Sequence, residues 1–335
     1  MVRSLRNSSS DLNVLQLEDR TVPAGFILSA AQPGDDGIVR ILDGTTGVEK
    51  SQIVAFSGYR GGFSAAASGD RNRDGFPDRI VVGTTHIGTA PHVKVFDGAT
   101  GALLQSFFAY DPGFLGGVNV AFADIDGDGK DDVITGAAAG ASPHVKVFDG
   151  VTGNTVRSFL AFDSGFRGGV NVGGGDLNGD GRDDILVGAA AGAAPHVKAF
   201  DGKTEALLQS FLAFDGAFVG GVRVGGGDLD HDGHDDIIVG AGPGAGSHVK
   251  VFRGNDLALL SSKIIFEDAY HDGVQVQVND VSGHGLDDLV VERNSGTVRF
   301  RAFDDNGVDG PAHDINDDNG IDALGHDSGR SGKGR

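Results

Sequence analysis

The chain has no cysteine. That excludes disulfides, thiolate metal sites and cysteine nucleophiles, and leaves the redox compartment undetermined. No apolar run approaches the ~18–20 residues needed to span a bilayer, so no transmembrane segment is predicted. No segment sustains a period of 3.6, so helices should be few. Basic residues are scarce: 27 Lys and Arg stand against 47 Asp and Glu, for a net charge of −20. Such a field repels phosphate backbones and excludes nucleic acid as a partner class. The first two dozen residues carry basic side chains and a serine run but lack the 7–15-residue apolar core of a standard signal peptide. A secreted chain without disulfides needs another stabiliser, and bound metal is one candidate.

What the chain does have is glycine, 57 of 335 residues, about 17% against roughly 7% in ordinary proteins. The glycines fall at fixed positions between apolar strands. With 39% hydrophobic residues the chain can build a core, so disorder is the weaker reading. The acids are grouped rather than spread, which suggests cation sites as well as a solvated surface.

Four segments align: GGVNVAFADIDGDGKDDVITGAAAGASPHVKVFDG, GGVNVGGGDLNGDGRDDILVGAAAGAAPHVKAFDG, GGVRVGGGDLDHDGHDDIIVGAGPGAGSHVKVFRG and a looser GGFSAAASGDRNRDGFPDRIVVGTTHIGTAPHVKVFDG. Their Asp-rich loops begin at Asp70, Asp124, Asp176 and Asp228, with a degenerate fifth at Asp280; the steps are 54, 52, 52 and 52 residues. Each period reads as four short strands. Val118, Val120 and Phe122 alternate before the loop, and Val133 and Ile134 follow it. HVKVF makes a third strand, closed by an Asp-Gly turn that needs positive φ, and VRSFLAF makes the fourth. Four antiparallel strands repeated about every fifty residues predict an all-β fold, a β-propeller of four-stranded blades.

The HVKVF-type strand recurs six times, at residues 38–42, 92–96, 144–148, 196–200, 248–252 and 298–303, whereas the strand before the Asp loop recurs five times. Six blades are therefore expected, the first and last incomplete in sequence, with seven blades as the alternative. A linear β-solenoid is the second architecture, though its coils are usually shorter. Residues 1–24 read as a leader-like polar terminus, 25–308 as the propeller and 309–335 as a polar, disordered tail.

The chemistry-bearing motif is the nonamer D-x-[D/N]-x-D-G-x-x-D. Calcium takes six to eight hard oxygens in a flexible shell. Oxygens at positions 1, 3 and 5 converge when the chain curls, glycine at 6 permits the turn, the carbonyl at 7 contributes, and Asp at 9 completes the shell. The candidate ligands are Asp70, Asn72, Asp74 and Asp78 in loop one; Asp124, Asp126, Asp128, the Lys130 carbonyl and Asp132 in loop two; Asp176, Asn178, Asp180, the Arg182 carbonyl and Asp184 in loop three; and Asp228, Asp230, Asp232, the His234 carbonyl and Asp236 in loop four. Four Ca2+ sites are expected. The fifth loop, Asp280 to Asp288, places His284 where a hard oxygen belongs, so weak or absent binding is expected there. The run Asp314, Asn316, Asp318, Asp322 has Asn319 in the glycine place and is out of register, and reads as tail. An EF-hand is excluded, because position 12 is Thr135, Val187 or Val239 rather than a bidentate glutamate. A plain Asp-Gly turn needs only one or two acids; three or four carboxylates within a few ångströms repel unless a cation neutralises them.

The combination of GF-x-GG (Gly165-Phe166-Arg167-Gly168-Gly169), the Asp loop and the segment from Gly188-Ala189 to Pro195 resembles the FG-GAP/VCBS repeats of bacterial surface proteins and integrin α-subunit propellers, over about residues 25–305. Leu17-Glu18-Asp19-Arg20 followed by Pro23 resembles a short leader of bacterial surface and secreted repeat proteins. These resemblances imply calcium in the blade hairpins, a secreted or cell-surface location, and adhesion to, or binding of, an extracellular protein or polysaccharide. No attached domain is expected, and the degenerate fifth loop departs from the pattern. The alternative is a propeller enzyme, a lyase or hydrolase acting on extracellular polysaccharide. No Ser-His-Asp, zinc or phosphate-loop signature supports it. His92, His144, His196 and His248, with Lys94, Lys146, Lys198 and Lys250, repeat in every blade, as packing fixtures do; only His86, Glu267, Asp268, His271 and Asp272 are irregular enough to be catalytic. A structural envelope component with no discrete ligand is the third reading.

Overall fold

The computed structural model describes residues 25–29, 37–44, 46–266, 270–281, 287–293, 300–303 and 321–322. The leader-like terminus 1–24 lies outside the described residues, as does the tail 309–335 apart from 321–322. Five four-stranded antiparallel sheets follow one another in the chain. The first comprises β4 (Phe63–Ala67), β5 (Arg79–Thr84), β6 (His92–Asp97) and β7 (Leu103–Phe108); the second β8 (Val118–Ala123), β9 (Asp132–Ala137), β10 (His144–Phe148) and β11 (Thr155–Leu160). The third holds β12 (Val170–Gly175), β13 (Asp184–Ala189), β14 (His196–Phe200) and β15 (Leu207–Leu212); the fourth β16 (Val222–Gly227), β17 (Asp236–Ala241), β18 (His248–Phe252) and β19 (Leu259–Ile264). The fifth is β20 (Val274–Asn279), β21 (Asp288–Arg293), β22 (Phe300–Phe303) and β23 (Ile321–Asp322), so two residues of the segment read as tail pair with β22. Preceding them is a three-stranded sheet of β1 (Phe26–Ser29), β2 (Ile38–Asp43) and β3 (Glu49–Val54).

The architecture is an all-β propeller of five four-stranded blades. The expectation of six such blades, or of seven, is thereby corrected. Six HVKVF-type strands do exist, but β1 aligns with the second strand of the repeat, and no described residue takes the innermost place of its sheet. The linear solenoid is also set aside, because the three-stranded sheet meets both the first blade and the last. Gly25 donates its amide to the Val281 carbonyl at 3.1 Å, Gln277 donates Nε2 to the Leu28 carbonyl at 2.8 Å, and Ile27 and Leu42 pack with Val281 and Val290.

Burial follows position in the blade. Second strands such as β9, β13 and β17 are buried along their whole length, while outer strands such as β7 and β11 alternate toward solvent. Inner strands crowd the axis and are laced side chain to backbone: Asn119 donates to the Val170 carbonyl at 2.7 Å and Asn171 to that of Val222 at 2.6 Å. They surround an axial cavity of about 370 Å³ lined by Ser64, Asn119, Asn171, Arg223 and Gln275, one from each inner strand.

Glycine in the second strand is a matter of clearance. A Cβ added at Gly83, Gly136 or Gly188 would stand 2.8 Å from the Val118, Val170 or Val222 carbonyl oxygen of the next blade. In β21 the equivalent position is Glu292. The sheet that follows it has no inner strand to collide with, and Glu292 accepts a hydrogen bond from the Ser29 hydroxyl at 2.6 Å. The repeated His and Lys are fixtures. Each histidine pairs its Nε2 with a serine hydroxyl of the outer strand at 2.9 Å, and Lys146, Lys198 and Lys250 donate to carbonyls of the preceding blade at 2.9–3.0 Å while lying over Tyr110, Phe162 and Phe214.

Candidate metal centres

All the Asp loops join an inner strand to the second strand of the same blade, so they lie on one face of the ring. Position 2 anchors the loop: Ile125, Leu177 and Leu229 are buried. Position 1 then curls it. Asp124 Oδ1 accepts the amides of Gly127 and Asp128 at 2.8 and 3.1 Å, and its Oδ2 accepts that of Gly129 at 2.8 Å. Asp176 repeats this with Gly179, Asp180 and Gly181. Asp126 and Asn178 each accept the amide two residues on. Asp128, Asp180 and Asp232 do likewise, so positions 1, 3 and 5 satisfy the plain-turn reading, but position 9 goes beyond it.

In loop two the carboxylates of Asp124, Asp126 and Asp128 offer oxygens that all lie within 4.8 Å of one another; in loop four those of Asp228, Asp230 and Asp236 do the same. Asp132 and Asp232 stand outside these trios. Loops one and three, with Asn72 and Asn178 at position 3, form no trio of carboxylates among the described residues. The position-9 aspartates open the second strand and are buried, Asp132 at 2%, Asp184 at 1% and Asp236 at 0% exposure. Asp132 Oδ1 accepts the Gly150 amide of the neighbouring hairpin turn, and Asp236 Oδ2 accepts that of Leu229. Their other oxygens, with Asp230 Oδ1, are buried and make no hydrogen bond. Burial pushes these acids up, Asp132 to about 6, Asp184 to about 7 and Asp236 to about 8. An uncompensated buried carboxylate oxygen is costly, and a hard cation is the partner that such oxygens fit.

Several cationic side chains already touch the loops. Lys50 donates to the Gly75 carbonyl at 2.6 Å, and Arg71 lies 3.8 Å from Asp78. Arg253 donates Nε to Asp230 Oδ2 at 2.9 Å. In loop one, Arg71 occupies the place of the buried aliphatic and reaches across to Asp131 of the next blade, at 2.6 and 3.0 Å. In the fifth loop, Ser282, His284 and Gly285 lie outside the described residues; Asp288 Oδ2 accepts the Val281 amide.

The sequence reading missed position 8. Asp183 Oδ2 accepts the Asp124 amide at 2.7 Å, Asp235 Oδ2 that of Asp176 at 2.8 Å, and Asp287 Oδ2 that of Asp228 at 3.1 Å. The signal was present as the Asp-Asp doublet that closes loops two to five, from Asp131-Asp132 to Asp287-Asp288. Among the irregular residues, Glu267 and Asp268 lie outside the described residues. His86 and His271 sit in separate loops, where their carbonyls accept bonds from Thr89 and Gly244. No helix among the described residues is long and apolar enough to cross a membrane.

Three stretches, residues 116–154, 168–204 and 220–251, match the FG-GAP repeat model. They fall in blades two, three and four, and each contains an Asp loop. The chain is similar to integrin alpha-8 of Gallus gallus, 27% identical over 51% of this chain and 17% of that protein. It is also similar to integrin alpha pat-2 of Caenorhabditis elegans, 29% identical over 69% of this chain and 22% of that protein. The matched region thus spans about a fifth of these relatives. A protein of unknown function from Bacteroides caccae shares the fold, with a TM-score of 0.54 at 13% identity over 84% of this chain and 90% of that one. Repeat matches that coincide with blades two, three and four, together with the likeness to integrin α chains, make this a β-propeller that carries FG-GAP repeats.

Proposed function

We propose that this propeller is a calcium-stabilised, non-catalytic binding module that works outside the cell or on its surface, in adhesion to, or recognition of, an extracellular protein or polysaccharide. One observation carries the calcium half: buried carboxylate oxygens of Asp132, Asp230 and Asp236 without hydrogen-bond partners, in the Asp loops of blades two and four. Loop two would hold an ion with Asp124, Asp126, Asp128, the Lys130 carbonyl and Asp132. Loop three would use Asp176, Asn178, Asp180, the Arg182 carbonyl and Asp184; loop four Asp228, Asp230, Asp232, the His234 carbonyl and Asp236; and loop one Asp70, Asn72, Asp74 and Asp78. The ion supplies positive charge where the fold concentrates acids, and four of them would move the net charge from −20 to −12. The likeness to integrin α chains supports the binding half, as does the use of the repeated His and Lys for packing.

Two measurements test this reading. Isothermal titration with calcium should saturate at about four equivalents, with a Kd of roughly 10⁻⁴–10⁻³ M for such modules. Glycan arrays and extracellular protein panels, run with and without calcium, should then yield a ligand without turnover of lyase or hydrolase substrates. No heat of binding sinks the calcium half, and hydrolysis or elimination of a glycan sinks the non-catalytic half.

A further inference from the structure

We propose that Asp183, Asp235 and Asp287 are positioning residues for the cation loop of the blade before them, so that the affinity of each loop depends on the blade that follows. The inference rests on the calcium reading above. It concerns residues outside the nine-position ligand set, because a position-8 carboxylate turns away from its own loop.

The link is reciprocal at two junctions. The Asp124 amide donates to Asp183 Oδ2 at 2.7 Å, and the Asp183 amide donates back to the Asp124 carbonyl at 3.0 Å. The Asp176 amide donates to Asp235 Oδ2 at 2.8 Å, and the Asp235 amide returns to the Asp176 carbonyl at 3.0 Å. The backbone of position 1 is thus held on both sides by the next blade. Position 1 is the residue whose carboxylate gathers the amides of its own loop, so its orientation sets the curl that brings positions 1, 3 and 5 together. A second contact runs the same way. A Cβ added at Gly127 would stand 3.1 Å from Arg182 Cγ, and one at Gly179 would stand 2.5 Å from His234 Cε1. The position-7 side chain of the following loop therefore lies over position 4 of the loop before it. Loop one is tied differently, through Arg71 and Asp131, so the dependence should be strongest for loops two to four. The coupling has a direction: blade three steadies loop two, blade four steadies loop three, and blade five steadies loop four. Preorganisation of this kind raises affinity by lowering the cost of ordering the ligands.

Hydrogen exchange of the full chain over a calcium titration, read peptide by peptide, resolves the loops separately. In the unsubstituted protein the peptides over 124–132 and 228–236 should gain protection with calcium. Asp183→Ala should raise the calcium midpoint of 124–132 about tenfold, as expected for loss of one hydrogen bond to a charged group, and leave that of 228–236 in place. Asp183→Asn keeps an acceptor for the Asp124 amide and should recover most of the affinity, which also keeps the test open if the alanine variant does not fold. An unmoved midpoint at 124–132, an equal shift at both peptides, or an Asn variant as weak as the Ala variant overturns the inference. Absence of calcium-dependent protection in the unsubstituted protein overturns the calcium reading and the inference with it, and is distinguished because it needs no variant.

Discussion

Stripping calcium should make the protein's stability fall as pH rises through neutrality, and calcium should remove that fall. The position-9 acids carry the effect. Their ordinary value is 3.8, and burial raises Asp132 to about 6, Asp184 to about 7 and Asp236 to about 8. A raised acid binds its proton more tightly in the folded state than in the unfolded one. Its contribution is therefore full below pH 3.8 and is lost as pH climbs through the folded values, here between 6 and 8. Each group still protonated only in the folded state gives a slope of about −1.4 kcal/mol per pH unit. Integrated from pH 6 to 8, the three acids together lose roughly 4 kcal/mol, most of it from Asp236 and Asp184. Halved for solvent screening at the loop mouths, the loss is about 2 kcal/mol. Calcium ligation needs these acids ionised, so the loaded protein is spared it. Urea unfolding at pH 6, 7 and 8, in EDTA and in millimolar calcium, reads the difference, and raised acids away from the loops, such as Glu292, cancel between the two series. The gap between the series should widen by about 2 kcal/mol from pH 6 to 8. A constant gap, or an EDTA series that gains stability with pH, refutes the reasoning.

Two further outcomes can be stated. Gly188→Ala places a Cβ 2.8 Å from the Val222 carbonyl oxygen and should destabilise by about 1–3 kcal/mol, as overpacking does; an unchanged thermal midpoint would show that adjacent blades can slide apart. His92, His144, His196 and His248 are lowered by burial, then by the neighbouring lysine. Their contribution is full above pH 6.5 and lost as pH falls below it; replacing all four by glutamine should therefore lessen the loss of stability between pH 7 and 5, read by urea unfolding against the unsubstituted protein.

Much of this was legible in the sequence, because the signals are local and repeated. Alternation at Val118, Val120 and Phe122 marked β8, and the Asp-Gly pair at Asp149-Gly150 marked the turn between β10 and β11. Strand counting failed at the ring junction. HVKVF-like segments fixed the number of sheets, but whether a sheet receives an inner strand depends on what the two chain segments bring together in space. Glu292 is informative in hindsight: it breaks a column of glycines where clearance is no longer needed. The candidate ligands were legible as a nonamer, but not their inequality. Asp132 and Asp232 fall outside the trios, and each accepts a backbone amide, of Gly150 and of His234. Arg253 reaches Asp230 through a strand pairing that spacing does not encode. The second Asp of each doublet was read as a ligand and the first passed over, since an inter-blade acceptor has no mark within its own repeat.

The junction between β1 and the last blade has a mechanical consequence. Between the five four-stranded blades, neighbours meet along full inner strands. Among the described residues, the union here consists of a few separate hydrogen bonds, from Gly25, Ser29 and Gln277, over a small apolar cluster. A load applied across Gly25 and Arg293 acts on those bonds first. The circle should part there while the individual sheets stay intact, so that under tension the protein opens into a curved ribbon before any blade unravels.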